Sequence, residues 1–124
     1  MQGSQQFHDS IIEHLTQNKP TLEQILKDEI IDIQTNKIIN FGQKNNYEID
    51  LYIKTKNSNF PTLIEVKSNN GNPLKNKFYK QLKIFENDYP NSNIYFVYSQ
   101  CGTDKTNLQF EYFPPHKTPK IEYY

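Results

Sequence analysis

The chain has 124 residues, a mean hydropathy of −0.86, and 14 lysines against 14 acids with no arginine, for a formal net charge of zero. That length is one domain, taken as 1–124. No apolar run reaches the length of a membrane span, and Met1-Gln-Gly-Ser-Gln-Gln lacks the basic and apolar regions of a signal peptide. The expectation is a soluble, cytoplasmic protein, not a membrane protein, whose core is built from clustered Ile, Phe and Tyr.

Phe7, Ile11, Ile12 and Leu15 recur at helical spacing and predict a first helix over about 5–17. Asn18-Lys-Pro20 interrupts it. Thr21, with Gln24 three positions on, then reads as the N-cap and capping box of a second helical segment holding Leu22, Ile25 and Leu26. From Ile30 the period changes to that of strands. Ile30–Ile33 and Ile38–Phe41 read as two strands around a Thr35-Asn36 turn, and Gly42–Asn46 as a further turn. Tyr47, Ile49, Leu51 and Ile53 alternate with Glu48, Asp50, Tyr52 and Lys54, the clearest strand pattern in the chain. Thr62–Lys67 is the next strand, and Asn69–Pro73 a breaker. Leu74, Phe78, Leu82, Phe85 and Tyr89 form one helical stripe, and Ile94–Tyr98 is a short buried strand. A last strand around Leu108–Phe113 precedes a proline-rich tail. The order implies an α/β fold, a mixed β-sheet flanked by helices.

Charge is unevenly spread. Residues 1–50 hold eight acids and four lysines, whereas residues 51–84 hold seven lysines and one acid, Glu65. A basic stretch around an isolated carboxylate points to a polyanion partner; a solvated lysine-rich helix face is the competing reading. Without arginine, phosphate contacts would rest on lysine point charges, amides and backbone N–H groups.

The chemistry-bearing residues lie on adjacent strands. Residues two apart on a strand share a face, so Glu65 and Lys67 project together while Val66 turns away. Paired as a hairpin, the strands bring Asp50 to Glu65, giving two carboxylates with an ammonium beside them. The competing reading makes Asp50 and Glu65 exposed cross-strand acids, salt-bridged to Lys67 and Lys54. Glu48 shares the face of Asp50 and is either a spare ligand or a peripheral ion-pair member. His8, His14 and His116 show no metal-ligand spacing, and Cys101 stands without a Cys–His pattern.

Asp50 on one strand and Glu65-Val66-Lys67 on the next, within an αβββαβ order, resemble the PD-(D/E)XK, or restriction-endonuclease-like, nuclease superfamily over roughly residues 10–100. Ile49 stands where the motif has proline. Within the superfamily the chain is most similar to small Holliday-junction resolvases and to toxin nuclease domains. The resemblance implies a Mg²⁺- or Mn²⁺-dependent nuclease, with DNA the favoured substrate. Asp50, Glu65 and the carbonyl of Val66 would hold the metal, and Lys67 would face the phosphate or the attacking water. It also implies an acid on the first helix, for which Glu13 is the choice and Glu23 the rival. Gln81 matches half of a Gln-x-x-x-Tyr element found in some branches, because Phe85 stands at the tyrosine position. Lys75, Lys77, Lys80 and Lys83 would track the nucleic-acid backbone. A homodimer is compatible with the resemblance. A catalytically silent nucleic-acid-binding or assembly domain and a secreted, RNA-cleaving toxin domain are the alternatives.

Overall fold

The computed structural model describes residues 2–41, 45–67, 72–99, 108–115 and 120–123. Helices α1 (Gln2–Gln17) and α2 (Lys19–Leu26) lead into strands β1 (Ile30–Phe41), β2 (Asn45–Thr55) and β3 (Thr62–Lys67). Helix α3 (Asn72–Asp88) follows, then β4 (Ile94–Ser99), β5 (Leu108–Phe113) and the short β6 (Lys120–Tyr123). The strands form one mixed sheet in the order β1-β2-β3-β4-β5-β6. Among the described strands only the β3–β4 pair is parallel, and α3 supplies the crossover that a parallel pair needs. The α/β expectation holds, with five principal strands and β6 added beyond Phe113.

Each face of the sheet buries its own apolar cluster. Ile11, Ile12 and Leu15 of α1 and Leu22 and Ile25 of α2 pack on Leu51, Ile53, Ile64, Val66 and Val97. On the opposite face, Leu82 and Phe85 of α3 pack on Ile49, Leu63, Ile94, Phe96 and Phe113. The inward spacing of 11, 12 and 15, and of 82 and 85, is the i, i+3, i+4 stripe of a helix with one wet face.

Two local expectations are corrected. Thr21 is not an N-cap: α2 already begins at Lys19, behind Asn18 and with Pro20 in its first turn, where the missing N–H costs nothing. The helix instead ends on Lys27 in the left-handed conformation, φ 58°, its N–H donating to the carbonyl of Glu23. Thr35-Asn36 is not a turn either. One continuous strand runs from Ile30 to Phe41, and both sides of Asn36 pair with β2. Asn36 absorbs its positive φ of 53° as a kink within the strand, a conformation asparagine tolerates better than most residues.

That kink has a counterpart on β2. Thr35 pairs with Leu51 and Lys37 with Ile49, which sets Asn36 opposite Asp50. Ile49 belongs to the α3-side cluster and Leu51 to the α1/α2-side cluster. In a regular strand, positions 49 and 51 would share one face. The strand therefore changes face at Asp50. The expected turn at 42–46 and breaker at 69–73 fall largely outside the described residues, as do Cys101 and His116.

A candidate two-carboxylate site

Leu51 pairs with Ile64 across β2 and β3, so the next rung brings Asp50 opposite Glu65. The two carboxyls hydrogen-bond to each other. Both are buried, at 5% and 3% accessibility. The alternative of exposed acids paired to Lys67 and Lys54 is thereby overturned, since neither carboxylate reaches solvent.

Asp50 is the better-served member. Its Oδ2 accepts the Val66 N–H at 2.7 Å and lies 3.3 Å from His8 Nε2. Burial alone would push its pKa up; hydrogen bonds from Glu65, His8 and Val66, with the charge of His8, outweigh that and hold it below the usual carboxylate range. Glu65 goes the opposite way. Burial, the hydrogen bond to Asp50 and the charge of Asp50 raise its pKa well above the ordinary value, and Lys67 offsets only part of this. The two carboxyls are thus pushed in opposite directions, Asp50 toward the ionised form and Glu65 toward the protonated one. Glu65 Oε2 is buried without a hydrogen-bond partner among the described residues.

His8 was missed by sequence reasoning, which chose Glu13 as the acid of the first helix. Glu13 is exposed, and its Oε1 accepts from Gln17 Nε2 at 3.1 Å. The rival Glu23 is committed elsewhere: its Oε2 accepts the Ile30 N–H at 2.8 Å and ties α2 to the start of β1. A signal for His8 was available. It lies three and four positions before Ile11 and Ile12, on the stripe that faces the sheet. The His8 Nδ1 is 3.3 Å from Asp9 Oδ1, and its pKa is raised, chiefly by the hydrogen bond to Asp50.

Lys67 is half-buried, on the Glu65 face of β3, and its charge acts on Glu65. Gln81 is half-buried on α3, with its Oε1 turned inward and without a hydrogen-bond partner among the described residues. Lys80 and Lys83 are exposed on the same helix. Lys75 and Lys77 lie on α3, but their side chains are outside the described residues, and Glu48 is exposed beside Asp50. Among the described residues no group of three or more His, Cys, Asp and Glu side chains is placed to hold a metal ion. A described hollow of about 430 Å³ at α2, lined by Pro20, Glu23, Gln24, Asp28 and Glu29, includes none of the site residues. No described helix is long and apolar enough to cross a membrane.

Comparisons with protein-family models, with curated proteins and with solved structures return no match for this chain.

Proposed function

We propose that the chain is a divalent-metal-dependent nuclease of the restriction-endonuclease-like class, hydrolysing phosphodiester bonds, with DNA the favoured substrate. One observation carries the reading: Asp50 and Glu65 are buried opposite each other across β2 and β3, with Lys67 on the Glu65 face. A buried pair of carboxylates is unstable as two anions, and either a proton or a cation relieves it. Glu65 Oε2 is a buried acceptor without a hydrogen-bond partner among the described residues, and a cation would satisfy it. The order α1–α2–β1–β2–β3–α3–β4, with the acids on β2 and β3, supports the same reading.

Asp50, Glu65 and the Val66 carbonyl would hold Mg²⁺ or Mn²⁺, oxygen donors suited to a hard cation. Such an ion lowers the pKa of a bound water and offsets charge on the scissile phosphate. Val66 N–H and His8 fix Asp50 in one orientation, so the carboxylate needs no reorganisation when charge develops. Lys67 stabilises negative charge on the phosphoryl oxygens, and the inward Gln81 amide positions Lys67 or a phosphate oxygen. Lys80 and Lys83, with Lys75 and Lys77, supply sequence-independent attraction to the backbone.

A second reading has its own observation. Asp50 is already engaged by Val66 N–H and His8, and among the described residues no group of three His, Cys, Asp or Glu side chains is placed to hold a metal ion. A silent nucleic-acid-binding domain retaining the pair for structural reasons accounts for that. Plasmid, branched DNA and tRNA incubated with increasing Mg²⁺ separate the two. The nuclease cleaves at least one of them, and Asp50→Ala and Lys67→Ala each reduce the rate at least about a hundredfold. Salt-sensitive binding without cleavage establishes the silent domain. A Glu65→Ala protein that cleaves at the wild-type rate refutes the site.

A further inference from the structure

One buried acid stands apart from the Asp50–Glu65 pair. Glu111 on β5 is 5% accessible, and its Oε2 has no hydrogen-bond partner among the described residues. Glu111 pairs with Phe96 of β4, and Phe96 pairs with Glu65 of β3, so one row of the sheet reads Glu65–Phe96–Glu111. Phe96 and Phe113 belong to the α3-side cluster and Phe110 to the other, which sets Glu111 on the α3 face. It is level with Glu65 there, two strand spacings or about 10 Å along the row. A carboxylate among hydrocarbon costs stability unless its oxygens are served, so packing alone would favour an apolar residue.

What Glu111 serves is a tyrosine of α3. Tyr79 Oη donates to Glu111 Oε1 over a long 3.5 Å. The Tyr79 ring also stands nearly perpendicular to that of Phe113, with 82° between the planes and 6.2 Å between centroids. Held at its tip and along its side, Tyr79 is still 43% accessible, whereas Phe85 on the same helix is fully buried. Lys83, four positions on, is its neighbour on the helix surface, and Lys80 follows it directly; both are exposed. Helix α3 thus shows solvent an aromatic ring of fixed position beside ammonium groups.

We infer that Tyr79 is a platform on which an unpaired base of the nucleic acid stacks, with Glu111 as its positioning residue, and that the chain prefers single strands to duplex. Lys80 and Lys83 select a polyanion as the partner, and they attract the phosphates of either form. The ring distinguishes the two forms. A base offers its π-face to a side chain only where it is not already stacked within a duplex. A ring immobilised before binding gives up little conformational freedom when a base settles on it, and the contacts to Glu111 and Phe113 immobilise this one. The inference rests on the nucleic-acid reading above, in its cleaving or its silent form, and adds the strandedness of the substrate.

Fluorescence anisotropy on the full chain in EDTA, with a labelled oligothymidylate and a duplex of equal length, tests this without any cleavage. The wild-type protein binds the single strand more tightly. Tyr79→Ala weakens single-strand affinity at least about fivefold, the loss of one stacked base, and leaves duplex affinity unchanged. The slope of log single-strand affinity against log salt is the same for Tyr79→Ala as for wild type, because stacking releases no counterions. Glu111→Leu lowers single-strand affinity, whereas Glu111→Gln, which keeps an acceptor for the phenol, retains it. Circular dichroism verifies the fold of each variant. Equal affinity of the wild type for both forms, or a folded Tyr79→Ala protein with wild-type single-strand affinity, overturns the platform and leaves the nuclease reading standing. Glu111→Leu and Glu111→Gln proteins that bind alike overturn the role of Glu111. A wild-type chain that binds neither form overturns the platform together with the nucleic-acid reading.

Discussion

A carboxyl group held between Asp50 and the α3-side core has three reasons to keep its proton: burial, a hydrogen bond to Asp50, and the charge Asp50 carries. With the folded pKa of Glu65 above the ordinary 4.5, the unfolded chain ionises first as pH rises. The contribution of Glu65 is therefore fully present below 4.5 and is lost as pH climbs through the folded value. His8 acts in the same sense, its contribution present below 6.5 and lost as pH rises through its raised pKa. Asp50, with a lowered pKa, contributes above 3.8 and loses that contribution as pH falls through its folded value. The site thus favours the folded state most on the acid side of neutrality. Glu65→Gln keeps the shape and removes the ionisation. In metal-free buffer it raises the melting temperature by roughly 3–6 °C at neutral pH, where about 1 kcal/mol moves a domain of this size by a few degrees, and leaves it unchanged below the glutamate range. Thermal melts across pH measure this, and Mg²⁺ should raise the melting point of wild type more than that of the variant.

Asn36 is the pivot at the level of elements. The β1–β2 ladder stays in register on both sides of it while the side chains beyond it exchange faces, so the ladder alone does not reveal the kink. Asn36→Gly should be nearly neutral, whereas Asn36→Val forces a β-branched residue into the left-handed region and costs about 1–2 kcal/mol in urea unfolding. The same residue shows where the sequence was legible. Alternation from Tyr47 to Lys54 revealed β2 even though its apolar residues divide between the two cores at Asp50, and the Leu82–Phe85 spacing revealed α3 because one-sided burial writes a period into a helix. Glu65 and Lys67 share a face of β3 as period two predicts, and the hairpin register, Leu51 against Ile64, brings Asp50 opposite Glu65. Thr35-Asn36 misled because the residue types that form turns are also those that tolerate a kink inside a strand. Glu13 misled because charge suggests function, whereas reach is decided by the helix face. His8 has the right face; Glu13 points to water. The final strand β6 was hidden because it is a four-residue run directly behind Pro114, Pro115 and Pro119.

Across the whole molecule, zero net charge conceals a polarity between an acidic first half and a lysine-rich middle. Nucleic-acid binding that rests on lysine point charges is governed by counterion release and falls steeply with salt. Lys80→Ala and Lys83→Ala should each reduce the slope of log affinity against log salt by about one, with little effect on sequence preference, as fluorescence anisotropy across a salt series would show. Slopes unchanged by both would return these lysines to an ordinary solvated helix face.

The change of face in β2 has a mechanical consequence. Ile49 is keyed into one core and Leu51 into the other, with Asp50 at the joint between them. Sliding β2 by a single position would eject an apolar side chain from both cores at once, so two independent penalties guard the alignment of that strand. Asp50 sits like a pin through two plates, and either plate alone would hold it less tightly. The tolerance on its carboxylate is set by packed hydrocarbon on both sides of the sheet, before any hydrogen bond at the site is counted.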